Sequence, residues 1–179
     1  MARYYNIYMQ KEKSGSPVKN IIDDFDMQCA DIPFRLIPEV KPLTERNWAG
    51  EDGKDVYVPK KLSVSAYTMK IKLCCKGEKY SANDKIQTLL EYLTGSDGSG
   101  VYMKLYCDYT KIGRQDVRFT KMPDEAVLVR DDMNGDILVF TVEVSVDDPV
   151  TSIAPVTDAT GNITKLGRYG RKQRMGDKA

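Results

Sequence analysis

Histidine is absent from the 179 residues, and so is any apolar run of the roughly 20 residues that a bilayer-spanning helix needs. The first absence removes the commonest general base and the commonest metal ligand. It weighs against hydrolase, transferase and zinc-site chemistry together. The N-terminus, Met1-Ala2-Arg3-Tyr4-Tyr5, lacks the apolar core of a signal peptide. A soluble chain retained in a cytoplasm, with no membrane partner, is therefore the expectation. An excess of one charge is missing too: 27 Lys+Arg stand against 26 Asp+Glu. The chain as a whole carries no electrostatic bias toward nucleic acid or membrane.

Cysteine is sparse. Cys29, Cys74, Cys75 and Cys107 contain no C-x-x-C pair. Adjacent Cys74 and Cys75 point to opposite faces of a strand, so they do not ligate one metal together. These residues read as small buried hydrophobes in a reducing compartment. Without histidine, no nucleophile and base can be assembled from spacing alone, and the chain reads as a non-enzyme with no cofactor and no metal. The acidic residues Glu51, Asp52, Asp55, Asp131 and Asp132 do not fit a calcium loop and read as solvated. Gly95, Gly98 and Gly100 are followed by a strand and by no Gly-Lys-Ser/Thr, so they form no phosphate cradle.

What is present reads mostly as strand. Thr68 to Leu73 places Met69, Ile71 and Leu73 on one face and Lys70 and Lys72 on the other. Leu62, Val64 and Ala66 extend that half-buried strand back toward Val56. Val101–Tyr109 and Gln115–Lys121 alternate in the same way. Val142, Val144 and Val146 alternate with Glu143 and Ser145, and Asn134-Gly135 between two apolar runs is a hairpin signal. Tyr4–Met9 predicts an edge strand or arm. Pro33, Pro38 and Pro42 exclude a helix and a central strand over most of Ile32–Pro42.

One helix interrupts this pattern. Ser81 and Asp84 form the S-x-x-D frame of a capping box. Ile86, Leu89, Leu90 and Leu93 then share a helical face, and Gly95 supplies the stop. From Val150 onward small and polar residues dominate. Past Ile163 the chain holds six cations (Lys165, Arg168, Arg171, Lys172, Arg174, Lys178) and one anion, Asp177, a net charge of +5. That composition predicts disorder in isolation and ordering on a partner.

The division that follows is an N-terminal arm at 1–19, a β-sandwich domain at 20–150 with its helix at about 81–94, and a basic C-terminal extension at 151–179. The fold class is mainly β with one α-helix, an antiparallel β-sandwich or partly open barrel with extended arms. Tyrosine is abundant, with eleven copies, and suits surfaces where a ring is half buried and half wet. Tyr4, Tyr5 and Tyr8 in the first arm, with Lys165, Arg168, Arg171, Lys172 and Arg174 in the last, are the candidate assembly or partner contacts.

The order of these features carries a resemblance. The residues are Gly53 to Leu73, with Asp55-Val56-Tyr57-Val58-Pro59 leading into a strand, then the helix Ser81 to Leu93. The return strands Val101-Tyr102-Met103-Lys104-Leu105-Tyr106 and Gly113-Arg114-Gln115-Asp116-Val117-Arg118 follow. Over roughly residues 20 to 150 the chain resembles tailed-bacteriophage tail tube proteins and the N-terminal domain of distal tail (baseplate hub) proteins. The resemblance implies a structural protein of the virion tail, put together in the host bacterial cytoplasm. It implies a homo-oligomer, commonly a hexameric ring, with sheets edge to edge around a lumen that gives non-specific DNA contact. Other phage tail proteins would be its partners, and the two arms would be connectors between subunits or rings. Distal tail proteins usually carry a further C-terminal domain, so a compact tail tube or tail-completion role fits equally. The alternatives are a head–tail connector, or a small nucleic-acid-binding β domain anchored by its basic tail.

Overall fold

The computed structural model describes residues 6–78, 81–124, 127–132 and 135–169. The first strands are β1 (Ile7–Lys11), β2 (Val18–Asn20) and β3 (Met27–Asp31). A two-stranded ribbon, β4 (Glu45–Arg46) and β5 (Asp55–Val56), follows, and then the long strand β6 (Tyr67–Gly77). After helix α1 (Ala82–Thr94) come β7 (Met103–Cys107), β8 (Ile112–Lys121), β9 (Val127–Asp132) and β10 (Gly135–Val146). The hairpin β11 (Ile153–Thr157) and β12 (Ile163–Arg168) closes the series.

Eight strands form one sheet in the order β2-β1-β7-β8-β10-β6-β3, with β9 also on β10. Every pairing in it is antiparallel. β8 and β9 share one edge of β10 end to end: Lys121 lies opposite Glu143, and Val127 opposite Val139. The sheet curls on itself. Ile7 and Met9 of β1 line a cavity of about 20 Å³ together with Ile71 and Leu73 of β6, although those strands are not neighbours. Ile21 bridges the two rims, its N–H donating to Ile7 (2.9 Å) and its carbonyl accepting from Met27 (3.1 Å). This is the mainly β, one-helix architecture expected.

The alternation of β6 has its expected cause. Tyr67, Met69, Ile71, Leu73 and Cys75 are buried while Thr68, Lys70 and Lys72 are exposed. Helix α1 covers the inner face with Ile86, Leu89 and Leu93, joined by Ala82 and Tyr92. Leu90 is only half buried and borders the core. Gly95 takes a left-handed φ of 77° at the helix end, and its Schellman-type bonds run from Gly95 N–H to Tyr92 O and Ser96 N–H to Glu91 O. A Cβ there would lie 2.6 Å from Gly100 O.

Four expectations need correction. Ser81 makes no side-chain cap; its backbone is already helical and its hydroxyl donates to Glu78 O at 2.9 Å. The first strand is not an edge, because β1 lies between β2 and β7, and Ile7–Lys11 and Val18–Asn20 thus belong to the sheet rather than to an arm. Between Val56 and Ala66 only Asp55–Val56 and a lone bridge, Val40 to Val64, are paired. The stretch after Val150 is ordered as a hairpin through Arg168. The Asn134 turn lies outside the described residues; its flanking strands do pair.

Candidate assembly surfaces

Two surfaces stand out. The first is built on the outer face of β1, β7 and β8. There Ile153 and Leu166 are buried against Tyr106, with Tyr8, Val18 and Ile163 at the margin. Polar bonds lock the same seat. Gln10 Oε1 accepts the N–H of Leu166 at 2.8 Å, and Lys104 Nζ donates to its carbonyl at 3.0 Å. Gly113 lets the hairpin approach, because a Cβ at that position would lie 2.6 Å from the Ile153 side chain.

A polar network surrounds this seat. Gln115 accepts from Arg168 Nε at 3.2 Å and donates to Asp148 at 2.8 Å. Burial acts to raise the Asp148 carboxyl, but bonds from Thr151, Val150 and Gln115 outweigh it and hold it below the usual carboxylate range. A bulge in β8 sets Asp116 at φ 50°, with its N–H on Glu12 at 2.9 Å. Burial pushes the Glu12 carboxyl up; the Asp116 N–H bond acts to lower it, but burial together with the Asp116 carboxylate prevails.

The structure therefore places the candidate contacts unequally. Tyr8 is half buried and tilted against Tyr106, with ring centroids 6.5 Å apart, so it serves within the chain. Arg168 is exposed and tied to Gln115; Lys165 is exposed on the same strand, β12, opposite Val156. Tyr4, Tyr5, Arg171, Lys172 and Arg174 lie outside the described residues. Cys29, Cys75 and Cys107 are buried and all four thiols are free. Burial pushes the Cys29 thiol up to about 12, which leaves it unreactive.

The second surface is the excursion from residue 32 to 66, a span in which the sequence marks no partner contact. Its two legs are joined by Ser65 N–H to Glu39 O (2.8 Å), Lys41 N–H to Ser63 O (2.9 Å) and Tyr57 N–H to Thr44 O (3.0 Å). β4 and β5 form a sheet of their own, separate from the main one. Ile37 is 83% exposed, Tyr57 71% and Trp48 52%, and Leu36, Val58 and Leu62 are exposed with them. Pro42, Leu43, Tyr57 and Pro59 line an open groove of about 250 Å³. The signal that finds this surface is apolar residues too closely interleaved with proline to enter a sheet. No group of His, Cys, Asp and Glu suited to a metal occurs among the described residues. No family model and no curated protein matches the chain.

Proposed function

We propose that this chain is a structural component of a bacteriophage tail, a tail tube, distal tail or tail-completion subunit that self-assembles into rings around the DNA channel. The observation that carries the assembly reading is the excursion. Scattered apolar residues on a surface are ordinary, but one excursion that exposes Ile37, Trp48, Tyr57 and Val58 concentrates the aromatic and aliphatic side chains from which interfaces are built. The sheet adds a second surface: β2 and β3 are its terminal strands, joined at their near ends through Ile21, and are the edges at which a neighbour's strand would pair. The tail assignment rests on the order of strands, ribbon, helix and return strands described above. In this reading the ring is a hexamer and other tail proteins stack on it. Negative-stain microscopy of the purified, concentrated chain tests the proposal. Rings or tubes with a central channel are expected, and a field of single small particles at every concentration would count against it.

A further inference from the structure

The excursion is polarised along its length. Residues 32–44 and 57–66 carry Arg35, Lys41, Lys60 and Lys61 against Glu39, whereas the tip at 45–56 carries Glu45, Glu51, Asp52 and Asp55 against Arg46 and Lys54. Lys54 is engaged by Glu45 and Arg46 stands opposite Asp55 in the β4–β5 pair, while among the described residues no ion pair holds Glu51 or Asp52. The complementary charge lies at the far end of the chain. Residues 170–179 carry Arg171, Lys172, Arg174 and Lys178 against Asp177, and extended they span on the order of 35 Å.

The described chain stops at Tyr169, whose N–H bonds Ser152 O at 2.8 Å. Ser152 Oγ accepts from Arg114 Nη1 at 3.2 Å, and Arg114 Nη2 donates to Arg35 O at 3.3 Å. The C-terminal segment thus starts beside Arg114 and Arg35 at the base of its own excursion, with Asp148 as the nearby anion already engaged by Gln115. Like charge disfavours its lying back along that ribbon, and the acidic tip of another molecule is the better acceptor.

We propose that the apolar excursion of one copy is covered by residues 170–179 of a second copy, with Arg171, Lys172 and Arg174 set against Glu51, Asp52 and Asp55. The contact is heterologous, tip to tail, and such contacts close into rings or propagate as tubes. This inference rests on the ring-forming reading and names the two surfaces that join. Charge sets the register and the rate of encounter, and the apolar ribbon contributes the buried area.

The test is a charge-reversal cycle on the full chain, with assembly followed by light scattering. Glu51→Lys with Asp52→Lys reverses the tip; Arg171→Glu, Lys172→Glu and Arg174→Glu reverse the tail. Each set alone should raise the concentration for half-assembly about tenfold at low salt, and the two together should return it toward that of the unchanged chain. Thermal unfolding of each variant establishes that the fold is intact. If either reversal leaves assembly unchanged, or the two combine without rescue, this pairing is wrong and ring formation stands. If tail reversal shifts Trp48 emission in dilute, unassembled chain, the segment covers its own excursion and the second-copy pairing is overturned. An unchanged chain that never assembles overturns both.

Discussion

Gln10 in the first strand accepts the backbone N–H of Leu166 in the last at 2.8 Å, a bond across 156 positions that seats the C-terminal hairpin on the sheet. Both backbone groups of Leu166 are held by side chains, Gln10 on one and Lys104 on the other. The hairpin therefore depends on the sheet for its hydrogen bonds as well as for its apolar seat.

Gln10→Leu should leave the buried Leu166 N–H without an acceptor, at a cost of about 1–3 kcal/mol. Native-state hydrogen exchange reads this directly. The Leu166 amide should lose protection while amides of β6 keep theirs. Equal loss in both places would mean that hairpin and sheet open as one unit.

Gly113→Val tests the same seat by volume. With Ile153 and its carbonyl 2.6 and 2.7 Å from the position of a Cβ, the hairpin must move or the sheet must distort. A loss of about 1–3 kcal/mol in chemical unfolding is expected. Wild-type stability would show that the hairpin sits farther from β8 than described.

Helix α1 separates two effects that its sequence suggested together. Leu89, fully buried, should cost about 2–5 kcal/mol as Leu89→Ala. Ser81→Ala should cost less than about 0.5 kcal/mol, because no capping bond exists to lose. A cap-sized loss at Ser81 would contradict the observed geometry.

Asp147 accepts from Ser145 Oγ at 2.6 Å and from Arg118 Nε at 2.8 Å. Burial acts to raise its carboxyl, yet the bonds from Ser145 and Arg118, with the guanidinium charge, prevail and hold it below the usual range. Asp148 is lowered likewise. A depressed carboxyl contributes stability that is present above its unfolded value and lost as pH falls through the folded one. Unfolding midpoints of Asp147→Asn and Asp148→Asn should converge on the wild type as pH drops below about 4, the usual carboxylate range. A gap that stays constant down to low pH would assign the effect to shape and not to charge.

The alternation of Met69, Ile71 and Leu73 and the spacing of Ile86, Leu89 and Leu93 were legible because each pattern repeats within a few residues. Leu166 was not. A single leucine among Thr164, Lys165 and Gly167 shows no period, and its partners Gln10 and Lys104 are remote in sequence. Ile7 and Met9 alternate as any strand does, so nothing local distinguishes an interior strand from an edge; pairing with both β2 and β7 decides it. Tyr8, proposed from sequence as a contact for other molecules, is occupied by Tyr106 for a similar reason. The excursion hid in plain view. Its prolines excluded a central strand correctly, but exposure of Ile37 and Tyr57 is a property of the folded chain.

Assembly itself is tested most directly by following mass and Trp48 together as concentration rises. Trp48 is the single tryptophan, lies in the excursion, and is 52% exposed in the isolated chain. The expected result is a weight-average mass climbing to a multiple of 20.2 kDa while Trp48 becomes shielded from acrylamide in parallel. A mass fixed at 20.2 kDa with unchanged quenching, up to the solubility limit, contradicts the excursion as an assembly surface.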